Sequence, residues 1–117
     1  FTPDDQALFL PDFKPLREIS PSSGVKHDAG KLRLDLVPPE ILRALGEVLT
    51  YGADKYTDHN WERGIAPDRV YAALMRHLLA WREGEAIDAE SGLPHLAHAL
   101  TNAGMLLTLE RREKARQ

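Results

Sequence analysis

Two histidines stand three residues apart at the start of a predicted helix, directly after Pro94. Because positions i and i+3 share one face of an α-helix, the imidazoles of His95 and His98 can both reach one metal ion or one anionic ligand. The apolar residues of the segment fall on a different stripe that can face the core: Leu96, Ala99, Leu100, Ala103 and Leu107. The two histidines therefore need not be core residues. The alternative interpretation is a polar interface or a plain helix surface.

A third histidine, His77, lies in the middle of another predicted helix on an otherwise apolar face. Neighbouring helices of a bundle project such residues inward, where metal sites are built. Three imidazoles with one carboxylate suit Mn, Fe, Co, Ni or Zn better than Mg. Glu47 is the first choice for that carboxylate and Asp88 the second, each as a metal ligand or a general base. The alternatives are a hydrogen-bonded core histidine at position 77 and a solvated helix face around Glu47.

Basic and aromatic side chains are grouped in two parts of the chain. The cations are Lys26, Lys31, Arg33 and Lys55, and close to the last of them stand Tyr56, Asn60 and Trp61. Cations neutralise phosphates, aromatic faces stack on a base, and an amide can hydrogen-bond the edge of that base. The combination is typical of a nucleoside triphosphate site, although each residue alone can be a surface charge or a loop anchor. Gly30-Lys31 does not belong to a Walker A motif, which needs Gly-x-x-x-x-Gly-Lys-Ser/Thr.

The composition limits the class of protein. The chain has 117 residues, a formal net charge of −3 and no cysteine. These values indicate one domain without a global basic surface for nucleic acid, a disulfide framework or a thiolate metal site. No apolar run approaches the ~18–20 residues that cross a bilayer, and the start of the chain lacks a signal-peptide pattern. We therefore expect a cytoplasmic protein with neither nucleic acid nor a membrane as its partner.

Three helices are predicted to position the candidate residues. Their expected bounds are Pro38-Pro39 to about residues 51–55, about 67–84 with Asp68 as the cap and Gly84 at the end, and Pro94 to about Arg112. Before them, alternating leucines favour a short extended segment within residues 25–37. Residues 1–24 are rich in proline and are predicted to form an irregular arm, and residues 25–117 the helical domain. The predicted fold class is all-α, a small bundle of three main helices with an irregular N-terminal arm.

Three sequence blocks are similar to one protein family. They read Lys26-His27-Asp28-x-Gly30-Lys31-x-Arg33-x-Asp35-Leu36-Val37-Pro38-Pro39, then Tyr51-Gly52-Ala53-x-Lys55-Tyr56-x-x-x-Asn60-Trp61-x-x-Gly64, then Glu90-Ser91-Gly92-Leu93-Pro94-His95-Leu96-Ala97-His98-Ala99. Over residues 24–109 the chain resembles the phage-encoded dATP/dGTP diphosphohydrolases. The resemblance implies metal-dependent hydrolysis of a purine deoxynucleoside triphosphate to the monophosphate and pyrophosphate, which depletes the standard purine nucleotides.

The helical architecture of that family looks similar to the MazG-like pyrophosphohydrolases, which hold Mg on the motifs Glu-Glu-x-x-Glu and Glu-x-x-Asp. In this chain His95-x-x-His98 stands where the second motif would align, and His77 lies near the first. The two-Mg mechanism is therefore not carried over, and the divalent ion stays open among Mn, Co, Zn and Mg. The resemblance also implies sites shared between protomers, so we expect a homo-oligomer, a dimer or larger.

Three hypotheses follow from these observations. The first is a dATP/dGTP diphosphohydrolase that holds a divalent metal on His77, His95, His98 and Glu47, with Glu47 or Asp88 as the base. In this first hypothesis the four cations bind the polyphosphate, and the two aromatic rings and the asparagine bind the purine. The alternative is a non-hydrolytic phage protein that binds a nucleotide or a nucleotide-derived defence signal. The third is an assembly helper whose polar residues serve an oligomer interface.

Overall fold

A computed structural model of the chain describes residues 15, 18 and 23–117. It divides the chain into two compact units, Phe1–Leu32 and Arg33–Gln117, and each is described by itself. The predicted arm over residues 1–24 lies almost entirely outside the described residues, so the arm and its boundary with the domain stay predictions. Within the first unit, residues 23–32 are exposed.

The second unit is built from three α-helices within its described residues. They are α1 (Pro39–Lys55), α2 (Pro67–Arg82) and α3 (His95–Ala115), with a 3-10 turn at Asn60–Arg63 between the first two. The described part of the chain contains no strand, and its β pairing is limited to one isolated bridge between Ile87 and Pro94. The predicted all-α bundle of three main helices is therefore confirmed. None of the described helices combines the length and the apolar character that crossing a membrane requires.

Prolines define where all three helices begin. Pro39 and Pro67 occupy the first helical positions and Pro94 precedes α3, and none of the three helix starts has a side-chain cap hydrogen bond. The fixed φ of proline suits a first turn, where its missing N–H has no intrahelical partner to lose. The prediction that Asp68 caps α2 is wrong, because Ala66 holds the cap position. Asp68 lies in the first turn instead, where its charge favours the positive end of the helix dipole.

The alternating leucines before α1 do not form an extended segment, so that prediction is wrong for Leu34–Leu36, which form a 3-10 turn. Arg33 Nε and Nη2 donate to the two carboxylate oxygens of Asp35 at 2.9 and 2.8 Å, which closes the chain locally. Both leucines are exposed. Leucines that alternate with a period of two share one face of a strand, and a strand forms only beside a pairing partner. The described residues contain no strand with which this segment could pair.

Helix α3 packs against both α1 and α2. Its buried side chains are small where it meets them, namely Ala97, Ala99 and Thr101, while α1 buries Val48 and α2 buries Val70. Small side chains let helix axes approach closely. The Thr101 hydroxyl donates to the Ala97 carbonyl at 2.8 Å, so this buried polar group is satisfied within the helix.

The two histidines of α3 are part of this core, a point that the sequence left open, and Ala99 is the buried member of the predicted core stripe. His95 and His98 are 5% and 8% exposed, whereas Leu96 and Leu107 of the predicted core stripe are 45% and 47% exposed. The reason is that α3 has neighbours on the sides where its histidines and small residues lie. The leucine stripe lies on the remaining side of the helix and faces outward.

Substitution of Gly84 tests the backbone conformation that reverses the chain after α2. Its φ of +101° lies in the left-handed region, so Gly84→Ala is expected to cost about 1 kcal/mol and to lower the melting temperature by roughly 4–8 °C. Gly46 of α1 is the matched control because it is helical and a Cβ there would meet nothing within 4 Å. Gly46→Ala is expected to stabilise by about 0.5–1 kcal/mol. Thermal unfolding followed by circular dichroism measures both, and equal signs for the two variants would contradict the expectation.

Candidate metal and nucleotide site

A short loop between α2 and α3 brings acidic residues back to the start of α3. Gly84 reverses the chain after α2, and the backbone N–H groups of Glu85 and His95 then donate to the carbonyls of Ala80 and Ala86 at 3.0 and 2.9 Å. The Asp88 N–H donates to the Leu93 carbonyl at 2.8 Å. These bonds hold the 85–88 segment beside the 93–95 segment. The loop therefore places carboxylates next to the buried histidines.

Three imidazole rings from two helices meet at this point. The Nδ1 atoms of His77 and His95 lie 2.9 Å apart, so one ring donates a hydrogen bond to the other. The ring of His98 stacks on that of His77 with centroids 4.4 Å apart and planes 7° apart. Tyr51 of α1 packs edge-on against His98 at 6.1 Å. The expected meeting of His77, His95 and His98 in the bundle interior is thus observed.

Ser91 connects the loop to the third imidazole. Its N–H donates to Asp88 Oδ2 at 3.0 Å, and its hydroxyl oxygen accepts the Leu93 N–H at 3.1 Å. The same hydroxyl lies 2.6 Å from Nε2 of His98, which is 3.7 Å from Asp88 Oδ2. Ser91 therefore fixes both the carboxylate and the imidazole.

His77, Asp88 and His95 form a group that fits a divalent metal ion. Each offers a ligand atom, and these atoms lie within 4.8 Å of one another. The Nδ1 atoms of His77 and His95 are only 2.9 Å apart, so two nitrogen donors stand together near the Asp88 carboxylate. A set of nitrogen and carboxylate donors suits Mn, Co or Zn, and the residues present do not select among them.

The electrostatics around the group favour neutral imidazoles at His77 and His98 and an ionised carboxylate at Asp88. Burial lowers the pKa of His77, and positive charge on the nearby His98 would lower it further. Burial also lowers the pKa of His98, against the opposing charge of Asp88. Burial raises the pKa of Asp88, but the hydrogen bonds from Ser91 and the nearby imidazoles outweigh it, so the net direction is downward. Neutral imidazoles and an ionised carboxylate are the forms that bind metals.

A cleft of about 970 Å³ opens beside the histidines, a size suited to a small-molecule ligand. Its lining combines predicted site residues from separate parts of the chain: Lys55, Tyr56, Asn60, Trp61, His77, Asp88 and His98. One of the four predicted cations and all three residues predicted for the base therefore share one cleft with part of the predicted metal group.

Ion pairs hold the edges of this cleft. Lys55 donates to Glu90, which raises the pKa of Lys55 and lowers that of Glu90. Arg112 of α3 donates to Glu62 Oε1 at 2.6 Å, and its guanidinium lies 5.9 Å from the centre of the Trp61 ring. That distance is within the range of a cation–π contact. The end of α3 thereby fixes the turn that carries Trp61.

Five predicted site residues are not part of this cleft lining. One of them is His95, which is buried in α3. Lys26 and Lys31 are exposed residues of the first unit, and Arg33 is exposed and bonded to Asp35. Glu47 is exposed on α1, so the carboxylate that lies with the histidines is Asp88, the second choice.

Sequence reasoning missed Ser91 and Glu85. Ser91 had a usable signal, because an aspartate three residues before a serine favours a local side-chain turn. The sequence signal for Glu85 was weaker. Gly84 at a helix end predicts a chain reversal, but it does not predict which residues the following Glu85 contacts.

Comparison with known proteins finds one family that matches this chain. The sequence profile described as the N-terminal part of dATP/dGTP diphosphohydrolase matches residues 21–117. A protein of Salmonella phage PMBT28 named dATP/dGTP diphosphohydrolase is 38% identical over 77 residues, which are 66% of this chain and 26% of that protein. The chain therefore matches about a quarter of the length of this relative. No solved structure matches the chain.

The lowered histidine pKa values predict that acidification destabilises the metal-free protein. Around and below pH 6.5, the ordinary pKa of histidine, the unfolded chain binds more protons than the folded one because the folded pKa values are lower. The free energy of unfolding therefore increases with pH in this range and decreases as the pH falls. Thermal unfolding of EDTA-treated protein from about pH 7.5 to 5.5 measures the slope. His98→Gln is expected to reduce it, and His27→Gln, at an exposed position, to preserve it. A melting temperature that is flat or rises on acidification would contradict the prediction.

Proposed function

The chain belongs to the family of N-terminal domains of dATP/dGTP diphosphohydrolases, and we propose that it hydrolyses dATP or dGTP to the monophosphate and pyrophosphate with the help of a divalent metal. The observation that carries the proposal is the shared cleft, whose lining includes residues for the nucleotide and residues beside the metal group: Lys55, Tyr56, Asn60, Trp61, His77, Asp88 and His98. Such a cleft offers a cation and a stacking surface next to part of the metal group.

Lys55 is the cation proposed to bind the polyphosphate. Its ammonium group lines the cleft, and its raised pKa keeps it charged at any physiological pH. In the free protein Glu90 accepts its hydrogen bond. A triphosphate carries more charge than one carboxylate, so it competes with Glu90 for the same ammonium group. Lys55 then neutralises charge on the pyrophosphate as it leaves.

Tyr56, Trp61 and Asn60 are proposed to bind the purine. Tyr56 is exposed and Trp61 half-buried in the cleft lining, so both rings offer a face for stacking. Arg112 holds Trp61 in place through its contact with the ring and its bond to Glu62. The side-chain amide of Asn60 offers both a donor and an acceptor to the edge of the base.

His77, Asp88 and His95 would hold the metal ion. When bound, a divalent ion polarises the α-phosphate and activates a water molecule. In the reaction the water oxygen bonds to the α-phosphorus, the bridging bond to the β-phosphate breaks, and pyrophosphate leaves. Asp88 is ionised at neutral pH, so it can bind the ion or take up the proton that the water gives up. His98 lines the cleft beside it, held by Ser91.

We place the proposed reaction in nucleotide-pool control of a phage-infected cell, because the related dATP/dGTP diphosphohydrolase comes from a phage. Its substrates are small and soluble. We therefore propose the host cytoplasm as its location.

We also propose that the protein self-associates through the outward stripe of α3. Leu96, Leu100, Ala103 and Leu107 are spaced by four, three and four residues, which is the spacing of a helix-pairing seam, and all four are exposed. An antiparallel pair centred between residues 101 and 102 sets Leu100 against Ala103 of the partner subunit and Leu96 against Leu107 of the partner subunit. Large residues then oppose small ones at the centre. The seam is thus complementary to itself, as a two-fold interface requires.

The activity test is chromatographic. Purified protein is incubated with each of the four deoxynucleoside triphosphates and Mg, Mn, Co or Zn, and the products are separated. The expected result is monophosphate and pyrophosphate from dATP or dGTP only, with no release in EDTA. Intact nucleotide under every condition would overturn the enzyme and support a binding protein instead.

Site variants test the residues. His95→Ala is expected to abolish turnover, and Asp88→Asn, which keeps the side-chain volume, to lower it by about 100-fold or more. Asp68→Asn is the matched control, since Asp68 is exposed in the first turn of α2. Melting temperatures show whether each variant is folded. Unchanged turnover in folded Asp88→Asn would remove Asp88 from the site.

Light scattering coupled to size-exclusion chromatography tests the proposed interface. Leu100→Glu places a charge at the centre of the seam, so it is expected to convert the assembly to single chains. Leu34→Glu, at an exposed leucine outside α3, is expected to leave the assembly unchanged. A wild-type protein that runs as a single chain would overturn the proposal.

A further inference from the structure

His95 carries a ring nitrogen that is buried without a hydrogen bond. Its Nδ1 faces Nδ1 of His77 at 2.9 Å, while its Nε2 is buried and has no hydrogen-bond partner among the described residues. A buried polar atom without a partner costs about 1–3 kcal/mol. Buried polar groups of folded proteins are nearly always paired, so this exception needs a physical account.

The carboxylate nearest this nitrogen belongs to Glu85. Its Oε1 lies 3.4 Å from Nε2, just beyond good hydrogen-bond geometry, and its side chain is 57% exposed. The backbone around it is fixed, because the Glu85 N–H bonds to Ala80 and the His95 N–H bonds to the adjacent Ala86. A small rotation of the carboxylate therefore completes the hydrogen bond without moving the chain.

We propose that Glu85 accepts the Nε2–H of His95 and so orients this imidazole for metal binding. A neutral imidazole carries one proton, so a proton held on Nε2 leaves Nδ1 with a free electron pair. That electron pair is directed at His77. In the metal-free protein it accepts the His77 Nδ1–H. For both Nδ1 atoms to bind an ion, the single proton of His77 would have to move from Nδ1 to Nε2.

The inference rests on the proposed metal centre and extends it beyond the residues that would touch the ion. Glu85 acts through His95, so it is a positioning residue. The other carboxylate of the loop has a different task, since Asp88 belongs to the ligand group and lies near His98. A carboxylate that accepts from a metal-bound imidazole fixes the tautomer and raises the basicity of the ligand. Loss of such a partner typically weakens metal binding by about 10–100-fold.

Three variants separate orientation from charge. Glu85→Ala removes the acceptor, and Glu85→Gln keeps an acceptor oxygen but removes the charge. Glu83→Ala is the matched control, because Glu83 is an exposed glutamate two residues earlier. Calorimetric titration with Mn, Co and Zn gives the affinities, and melting temperatures in EDTA confirm that each variant is folded. Long-range ¹H–¹⁵N NMR of the metal-free protein reports the tautomer of His95.

The expected result is an affinity that falls about 10–100-fold in Glu85→Ala, less in Glu85→Gln and not at all in Glu83→Ala. The wild-type His95 is expected as the Nε2–H tautomer, and Glu85→Ala to lose that preference. Wild-type affinity in Glu85→Ala, an equal loss in Glu83→Ala, or an Nδ1–H tautomer in the wild type would each overturn the role of Glu85 alone. A wild-type protein that binds none of the three metals would overturn the metal centre together with it.

Discussion

The helical unit depends on how three imidazole rings are packed between two helices. The first turns of α3 bury His95 and His98 together with alanine and threonine, in a place where most helices bury leucine. A buried polar ring is costly unless its nitrogens are bonded. His77 bonds one ring and stacks on the other, and Ser91 bonds the second. The reversal at Gly84 and the short loop after it are what bring Ser91 into reach.

Two ion pairs fix the positions of side chains at the edges of the cleft beside the histidines. Lys55 is tied to Glu90, and Arg112 is tied to Glu62 beneath the Trp61 ring. The first pair connects the end of α1 to the loop before α3, and the second connects the end of α3 to the turn after α1. Exposed pairs of this kind add little stability. Their effect is to fix where a cation and an aromatic face stand before a ligand arrives, which reduces the ordering that binding requires.

Local signals in the sequence were sufficient to predict the positions of the helices and part of the candidate site. Prolines marked the three helix starts and Gly84 the end of α2, because both act through their own backbone angles. The grouping of Lys55, Tyr56 and Trp61 in one cleft also followed from neighbouring positions along the chain.

The remaining errors concern contacts between distant residues. Periodicity shows that α3 has a leucine stripe and a histidine stripe, but it does not say on which side the neighbouring helices lie. Hydrophobicity alone then favours the leucines as core, and the structure buries the histidines. Glu47 stands on the expected helix but is exposed, and periodicity does not reveal that either. Asp88 reaches the histidines only through the backbone bonds of its loop, which composition does not reveal.

The imidazoles near the candidate metal group come from helices, whereas its acidic neighbours, Glu85 and Asp88, come from the single loop between α2 and α3. Helix residues are constrained by packing on several sides, but a loop tolerates exchange and change of length. The nitrogen donors of the candidate group are therefore held by the packing of the bundle, while its oxygen donors depend on one loop. Because carboxylates favour harder ions and imidazoles softer ones, exchanging residues of this loop would shift the metal preference of the group and leave the bundle intact.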